Sequence, residues 1–204
     1  MSESTDKPKE TIYYDQRSVA IRTTQTIYFV QEHDKASMVS LLLNSYKTVQ
    51  VVIVAKSKKK ADALSEFLIS KEFNATAIHG NHREAQQKEV ATKFNLGTLN
   101  IIITTDMILK TLDLQNIKLI INHDLPNDEQ EYYNRLALMK ELGSSIALIN
   151  PEDELFLSEI EHNMKQEIEE KILEGFVATE KLTHTKKDRK KKPRHKKNKV
   201  KNLL

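Results

Sequence analysis

The 204 residues carry 39% hydrophobic and 30% charged side chains, a formal net charge of +3 and no cysteine. That length suits one ordinary domain with appendages, and the lack of cysteine excludes disulfides and thiolate metal sites. No apolar run approaches a membrane span, and the polar opening MSESTDKPKE offers no signal-peptide core, so the expectation is a cytoplasmic protein with no membrane partner. The net charge conceals an asymmetry: Lys181–Leu204 holds twelve Lys and Arg against the single acid Asp188, or +11, while the other 180 residues carry 20 basic and 28 acidic side chains, or −8. An acidic body with a basic tail can attract a polyanion only through the tail or through local patches.

In chain order, residues 1–25 are polar and weakly periodic and read as a flexible lead-in. A strand follows at Thr26–Val30, then an amphipathic helix from about Asp34 to Asn44 with Asp34 placed to cap it. Val49–Ala55 is almost continuously apolar and β-branched, the pattern of a strand buried on both faces of a parallel sheet. Ser57 is set to cap the next helix, whose inward stripe is Ala61, Leu64, Phe67 and Leu68. A short strand ends at Ile78, and a helix runs from about Glu84 to Leu96, stopped by Gly97. Strands at Ile101–Thr104 and Lys118–Asn122, a helix at Glu129–Leu136 and a strand at Ser145–Ile149 continue the alternation. After Pro151 the spacing predicts one long helix to about Leu173, with Leu155, Leu157, Ile160, Met164, Ile168 and Ile172 as its stripe. Alternating strands and helices define an α/β class with a mainly parallel sheet flanked by helices. From Thr183 the lysine-rich segment has too little apolar content to bury, so a disordered basic tail is expected.

Ligands of an open parallel sheet bind at the carboxyl ends of the strands. The polar residues there are Lys56 and Ser57, His79 and Gly80, Thr104, Thr105 and Asp106, and His123 and Asp124. No glycine-rich loop ending in Lys-Ser or Lys-Thr occurs, and no Gly-x-Ser-x-Gly elbow. His79 and His82 could suggest a metal, but loop histidines facing water are the plainer reading, and no metal site is assigned. Lys58, Lys59 and Lys60 read as a solvated first helical turn.

The order IHGN, TTDMILKTLDL, IINHDLP, EYYNRL resembles the second RecA-like domain of DEAD-box RNA helicases, bacterial ones in particular, over roughly Thr26 to Gly175. VVIVAKSKKKADALSEFL resembles the unit that opens that domain, and TQTIYFVQEHDKASMVSLLL the segment entering it from the linker. Asn122, Asp124, Leu125 and Pro126 match the family's Asn-Tyr-Asp-Leu-Pro, with His123 in the aromatic position. The resemblance implies a single RecA-like domain at 26–175, between a lead-in at 1–25 and a basic tail at 176–204. It further implies that Gly80, Gln86 and Thr105 face RNA, with Thr105 on a phosphate, and that Asp113 and Arg135 face nucleotide.

Departures from the family pattern bear on activity. Lys110 and Thr111 stand where the family has Arg-Gly, and a β-branched threonine crowds a surface that glycine keeps open. Glu84 and Gln87 replace a Gln and an Arg of an RNA-contacting segment, leaving Gln86. The His-Arg-x-Gly-Arg-x-x-Arg motif reads Asn134, Arg135, Leu136, Ala137, Leu138, Met139, Lys140, Glu141, so both later arginines are lost. Arginine fingers contribute about 10³–10⁵ in phosphoryl-transfer rate; a leucine removes that charge and a glutamate reverses it. The family's phosphate loop and Asp-Glu-Ala-Asp motif belong to its first domain and do not occur in these residues. The expectation is therefore no catalytic residue, no cofactor and no enzyme activity alone, ATP entering only with a partner that supplies a first RecA-like domain.

Bland readings stand beside these. Thr105, Asp106 and Asp113 can be a loop kept for the fold's sake, with Asp106 capping the short helix after it, and Arg135 can be an ion pair with neighbouring acids. The tail has no such folding account. Lys187, Arg189, Lys190, Lys191, Lys192, Arg194, Lys196 and Lys197 suit salt-sensitive, sequence-blind contact with RNA phosphates, ribosomal RNA being the family's habit. Three readings follow: a non-catalytic RNA-binding module, or pseudoenzyme; a trans-acting half of an ATP-dependent helicase; and the remnant of a broken helicase gene.

Overall fold

The structure, a computed structural model, describes residues 16–139 and 142–179. Seven strands form one sheet in the order β3-β4-β2-β5-β6-β1-β7, every pairing parallel. They are β1 Thr23–Phe29, β2 Val51–Val54, β3 Ala75–Ala77, β4 Ile101–Thr104, β5 Leu119–Asn122, β6 Gly143–Ile149 and β7 Glu169–Glu170. The helices are α1 Gln16–Arg22, α2 Lys35–Leu43, α3 Lys58–Ser70, α4 Glu84–Asn95, α5 Asp106–Leu109, α6 Glu129–Ala137 and α7 Glu154–Met164.

The central strands are buried on both faces, as their unbroken apolar runs require. Alternate residues divide between two cores. Val52, Val54, Ile102 and Ile120 meet α1, α4, α6 and α7 on one face, through residues such as Val19, Phe94, Tyr132 and Leu157. Val51, Ile53, Ile103 and Ile121 meet α2 and α3 on the other, through Val39, Leu42, Ala61, Leu64 and Leu68. The loops bearing Gly80, Thr105 and Asp124 leave the carboxyl ends of β3, β4 and β5.

The structure departs from the sequence reading at both flanks and at one cap. Residues 16–25, expected to belong to a flexible lead-in, form α1 and the start of β1, because Val19 and Ala20 bury fully against α6 and α7. Asp34 stands at the start of α2 without giving it a side-chain cap. The long helix expected to reach Leu173 ends at Met164. Lys165 adopts a left-handed φ of 56°, and Gln166 N donates to Glu161 O at 3.2 Å, a turn-closing bond that normally accompanies glycine. Leu157, Ile160, Met164 and Ile168 are buried, but Leu155 and Ile172 are 74% and 88% exposed, so the proposed stripe is not one face. Residues 169–170 pair instead with β1.

Candidate functional site

Two clusters lie at the carboxyl ends of the strands. The first is built on Arg135, 1% exposed. Its Nε and Nη2 donate to Asp106 Oδ1 and Oδ2 at 2.7 and 2.8 Å, and Nη1 donates to Asn122 Oδ1 and the Asp124 carbonyl, both at 2.8 Å. Asn122 in turn donates to Ser145 Oγ at 3.0 Å. One guanidinium thus ties the ends of β4 and β5 to α6 with bidentate geometry on the carboxylate. Asp106 does not cap α5 as expected: Thr105 takes the cap position, without a side-chain cap bond, and Asp106 is turned to Arg135.

Asp124 organises the neighbouring ion cluster. Its Oδ2 accepts from Lys56 N at 2.9 Å and lies 3.1 Å from His123 Nδ1, while Oδ1 accepts from Lys60 Nζ at 2.6 Å. Lys35, wholly buried, lies 3.1, 3.4 and 3.8 Å from carboxylate oxygens of Glu32, Asp124 and Asp153. Lys60 also pairs with Glu32. Burial pushes the Asp124 carboxyl up, but His123, Lys60 and the Lys56 N–H outweigh it and hold the group well below the ordinary carboxylate range. Burial likewise raises Glu32, and the two lysines more than offset it, leaving it lowered. A cleft of about 640 Å³ opens above these groups between Gln31, Lys56, Lys60 and Asn150. The sequence places Lys56, His123 and Asp124 at this strand end but not Glu32, Lys35 or Lys60. Lys35 opens an amphipathic helix, where a lysine ordinarily points to water, and Lys60 sits in a first helical turn that the sequence leaves to solvent.

The second cluster is open. Gly80 is exposed, and a Cβ built on it would stand 3.1 Å from Met107 Cε and 3.6 Å from Lys58 Cε, so the turn after β3 lies directly against the turn after β4. Lys58 Nζ reaches over it to Asn81 Oδ1 at 2.7 Å. His79 does not face water: it is 3% exposed, with Nε2 2.7 Å from Asp62 Oδ1 and its ring 4.4 Å from that of His82. This pair braces the Gly80 turn from beneath. Gln86 Oε1 accepts from Arg83 N at 2.8 Å, which completes the first turn of α4. Gly80 and Thr105 thus follow β3 and β4, and Gln86 stands in the first turn of the helix after β3.

Asp113 and Arg135 are not brought together. Asp113 is exposed and lines a separate cleft of about 670 Å³ between α4 and residues 108–113, with Ala91, Ile108 and Leu112. Thr111, in the place of the family glycine, turns its hydroxyl to the Ile108 carbonyl at 2.8 Å. Leu138 packs half-buried on the first core. Glu141 and the tail residues Lys187, Arg189, Lys190, Lys191, Lys192, Arg194, Lys196 and Lys197 lie outside the described residues. Among those described, no three His, Asp or Glu side chains group as metal ligands, and no helix is long and apolar enough to cross a membrane.

A wholly parallel sheet with helices on both faces and the site at its carboxyl ends fits a RecA-like α/β domain. The chain belongs to the helicase conserved C-terminal domain family, which residues 34–137 match. It is 32% identical over 135 residues to the ATP-dependent RNA helicase eIF4A of Mycosarcoma maydis, an alignment covering 63% of this chain and 33% of that protein. The chain thus spans about a third of the relative it matches. Its fold is similar to the E. coli DEAD-box protein SrmB bound to regulator of ribonuclease activity A, with TM-score 0.74 and 16% identity over 80% of this chain and 98% of that one. A DEAD box protein from Methanococcus jannaschii aligns with TM-score 0.70 and 25% identity, over 76% of this chain and 43% of that chain.

Proposed function

We propose that these residues act as a non-catalytic RNA-binding module, a helicase C-terminal domain that presents a remnant nucleic-acid face and adds affinity through its lysine-rich tail. The observation that carries the non-catalytic part is the state of Arg135. It alone keeps an arginine of the family's three-arginine motif, and four of its five N–H groups are engaged by Asp106, Asn122 and the Asp124 carbonyl. Reaching a triphosphate would mean abandoning a buried pair, while Leu138 is apolar and rests on the core. RNA as the ligand is supported by the family, by the matched relative being an RNA helicase, and by the exposed turn at Gly80 with the half-buried Thr105 after the adjacent strand. Ribosomal RNA is the first target to try and the cytoplasm the expected place. The competing reading, a half-enzyme completed by a separate first domain, needs the arginines that this chain has lost.

The test is fluorescence anisotropy with single-stranded RNA across a salt series, on the full chain and on a truncation ending at Glu180. The expected result is tight, salt-steep binding by the full chain and weak, salt-shallow binding by the truncation, with ATP changing neither. Absence of binding by both sinks the RNA reading. An ATP-dependent gain when a first RecA-like domain is added revives the half-enzyme.

A further inference from the structure

The cleft above Asp124 is filled by ion pairs, and the cleft beside α4 has its polar side chains engaged. There Asn95 joins Asp113 O to Gln115 N, and Thr92 and Thr111 turn their hydroxyls to the carbonyls of Lys88 and Ile108. A third cleft, of about 440 Å³, lies on the opposite rim, where α2 and α3 end and β3 and β4 begin. Ile101, 6% exposed, lines it together with Tyr46 and Phe73, two rings half-buried on the second core. Asn74 and Asn100 line it as well. Each gives its amide nitrogen to a carbonyl, Thr98 O at 2.9 Å and Lys47 O at 3.3 Å, which fixes the end of each amide that is oxygen. Both Oδ1 atoms are left as acceptors, with no donor among the described residues. Lys47 and Lys71, both exposed, stand just past the ends of α2 and α3, where they offset the negative poles of the helix dipoles. An anion at this rim meets two ammonium groups and the single acid Glu72.

We propose that this cleft is a second RNA contact, a pocket for one unstacked nucleobase that carries an exocyclic amino group, adenine before uracil. The inference rests on the RNA-binding reading above and adds to it a contact with a base, on the rim opposite the Gly80 turn. Single-stranded RNA is held by bases stacked on aromatic side chains while cations follow the phosphates. Here two rings and two lysines line one cleft. Its volume of about 440 Å³ falls within the roughly 300–1,000 Å³ of small-ligand pockets. The two amide oxygens accept and do not donate. They suit the N6 amino group of adenine, whereas uracil offers another acceptor, O4, at the equivalent place. The contact is separate from the first: Asn100 and Thr105 stand at opposite ends of β4, about 16 Å apart at 3.3 Å per residue. Effects at the two rims can therefore be read independently.

The experiment measures fluorescence anisotropy of the full chain with three short strands: oligoadenylate, oligouridylate and an abasic sugar-phosphate chain of the same length. Contacts to phosphate alone cancel in the ratio of the first to the third, which isolates the base. Wild type should prefer oligoadenylate to the abasic chain by about tenfold, and to oligouridylate by about fivefold. Phe73→Leu keeps apolar volume on the second core and removes the ring, so it should lose most of both preferences. Phe67→Leu, at a half-buried ring outside the cleft, should keep them. Wild-type NMR gives the same information with no variant: oligoadenylate should shift the amides of Glu72, Phe73 and Asn74, and the abasic chain should not. A wild type without preference for oligoadenylate, equal preference in Phe73→Leu, or shifts at Gly80 and Thr105 alone overturns the inference and leaves RNA binding standing. AMP that shifts Glu72, Phe73 and Asn74 as strongly as the strand, mole for mole, assigns the cleft to a free nucleotide and overturns its part in RNA binding. A wild-type chain that binds none of the three strands overturns both readings.

Discussion

The two ends of the strand-carboxyl face differ in how their polar groups are used. Around Arg135 and Asp124 almost every charge is consumed internally: Arg135 by Asp106, Lys35 by three carboxylates, Lys60 by Glu32 and Asp124. Around Gly80 the neighbouring cations Lys58 and Arg83 are exposed, and Lys58 donates to a neutral oxygen, Asn81 Oδ1. An arrangement that binds a triphosphate must keep cations available, and one that braces loops must saturate them. The first half of this face is thus knit into the fold, and the second leaves cations on the surface.

Arg135→Ala should give the largest stability loss, because it strands the Asp106 and Asn122 acceptors. Breaking a buried pair from one side costs about 3–5 kcal/mol, and Asp106, 29% exposed, places this one toward the lower end. Urea unfolding should show it as a shifted midpoint. A shift of only a few tenths would mean that Arg135 is free for ligand. Next comes acid. Asp124 and Glu32 have folded-state pKa values below their ordinary ones, so the stability they confer is complete above the unfolded values of about 4 and is lost as pH falls below that. Asp124→Asn should flatten the stability profile below pH about 4 more than it changes the profile between pH 6 and 8. Were the two profiles parallel, the ion cluster would contribute nothing specific. A smaller effect attaches to the open half. Thr105→Ala should leave thermal stability within about 0.5 kcal/mol yet weaken RNA binding by up to about tenfold if its hydroxyl meets a phosphate.

Much of this fold could be seen beforehand, because buried parallel strands announce themselves as apolar runs such as VVIV and IIIT. Gly80 and Thr105 could be placed at strand ends for a different reason: they follow closely on strand signals, and an open sheet places ligands there. What stayed hidden depends on long-range partners. Nothing near Lys35 in sequence says that Asp124 and Asp153 will surround it, and nothing near Asp34 points to Thr179, 145 positions away. The end of α7 escaped notice because its left-handed residue is Lys165, where the usual signal would be glycine. His79 turns inward because its partner, Asp62, lies on the preceding helix, beyond any local sequence pattern.

The finest division between scaffold and surface runs through a single side chain. Gln86 sits in the open half, but its Oε1 already accepts from Arg83 N and so completes the cap of α4. A residue serving only as cap and one serving RNA as well respond differently to Gln86→Glu. Glutamate at this third helical position accepts the same bond and suits the positive end of the helix, so thermal stability should hold or rise by a few tenths of a kcal/mol. Its added negative charge would stand close to any phosphate on the Gly80 turn, so RNA binding by the domain truncated at Glu180 should weaken severalfold, and more at low salt than at high. Gln86→Ala separates the terms from the other side: it lowers stability by about 0.5–1 kcal/mol through the lost cap bond, with no charge to repel RNA. If Gln86→Glu changes neither quantity, Gln86 belongs with Arg135 as scaffold, and the RNA face shrinks to the Gly80 and Thr105 turns.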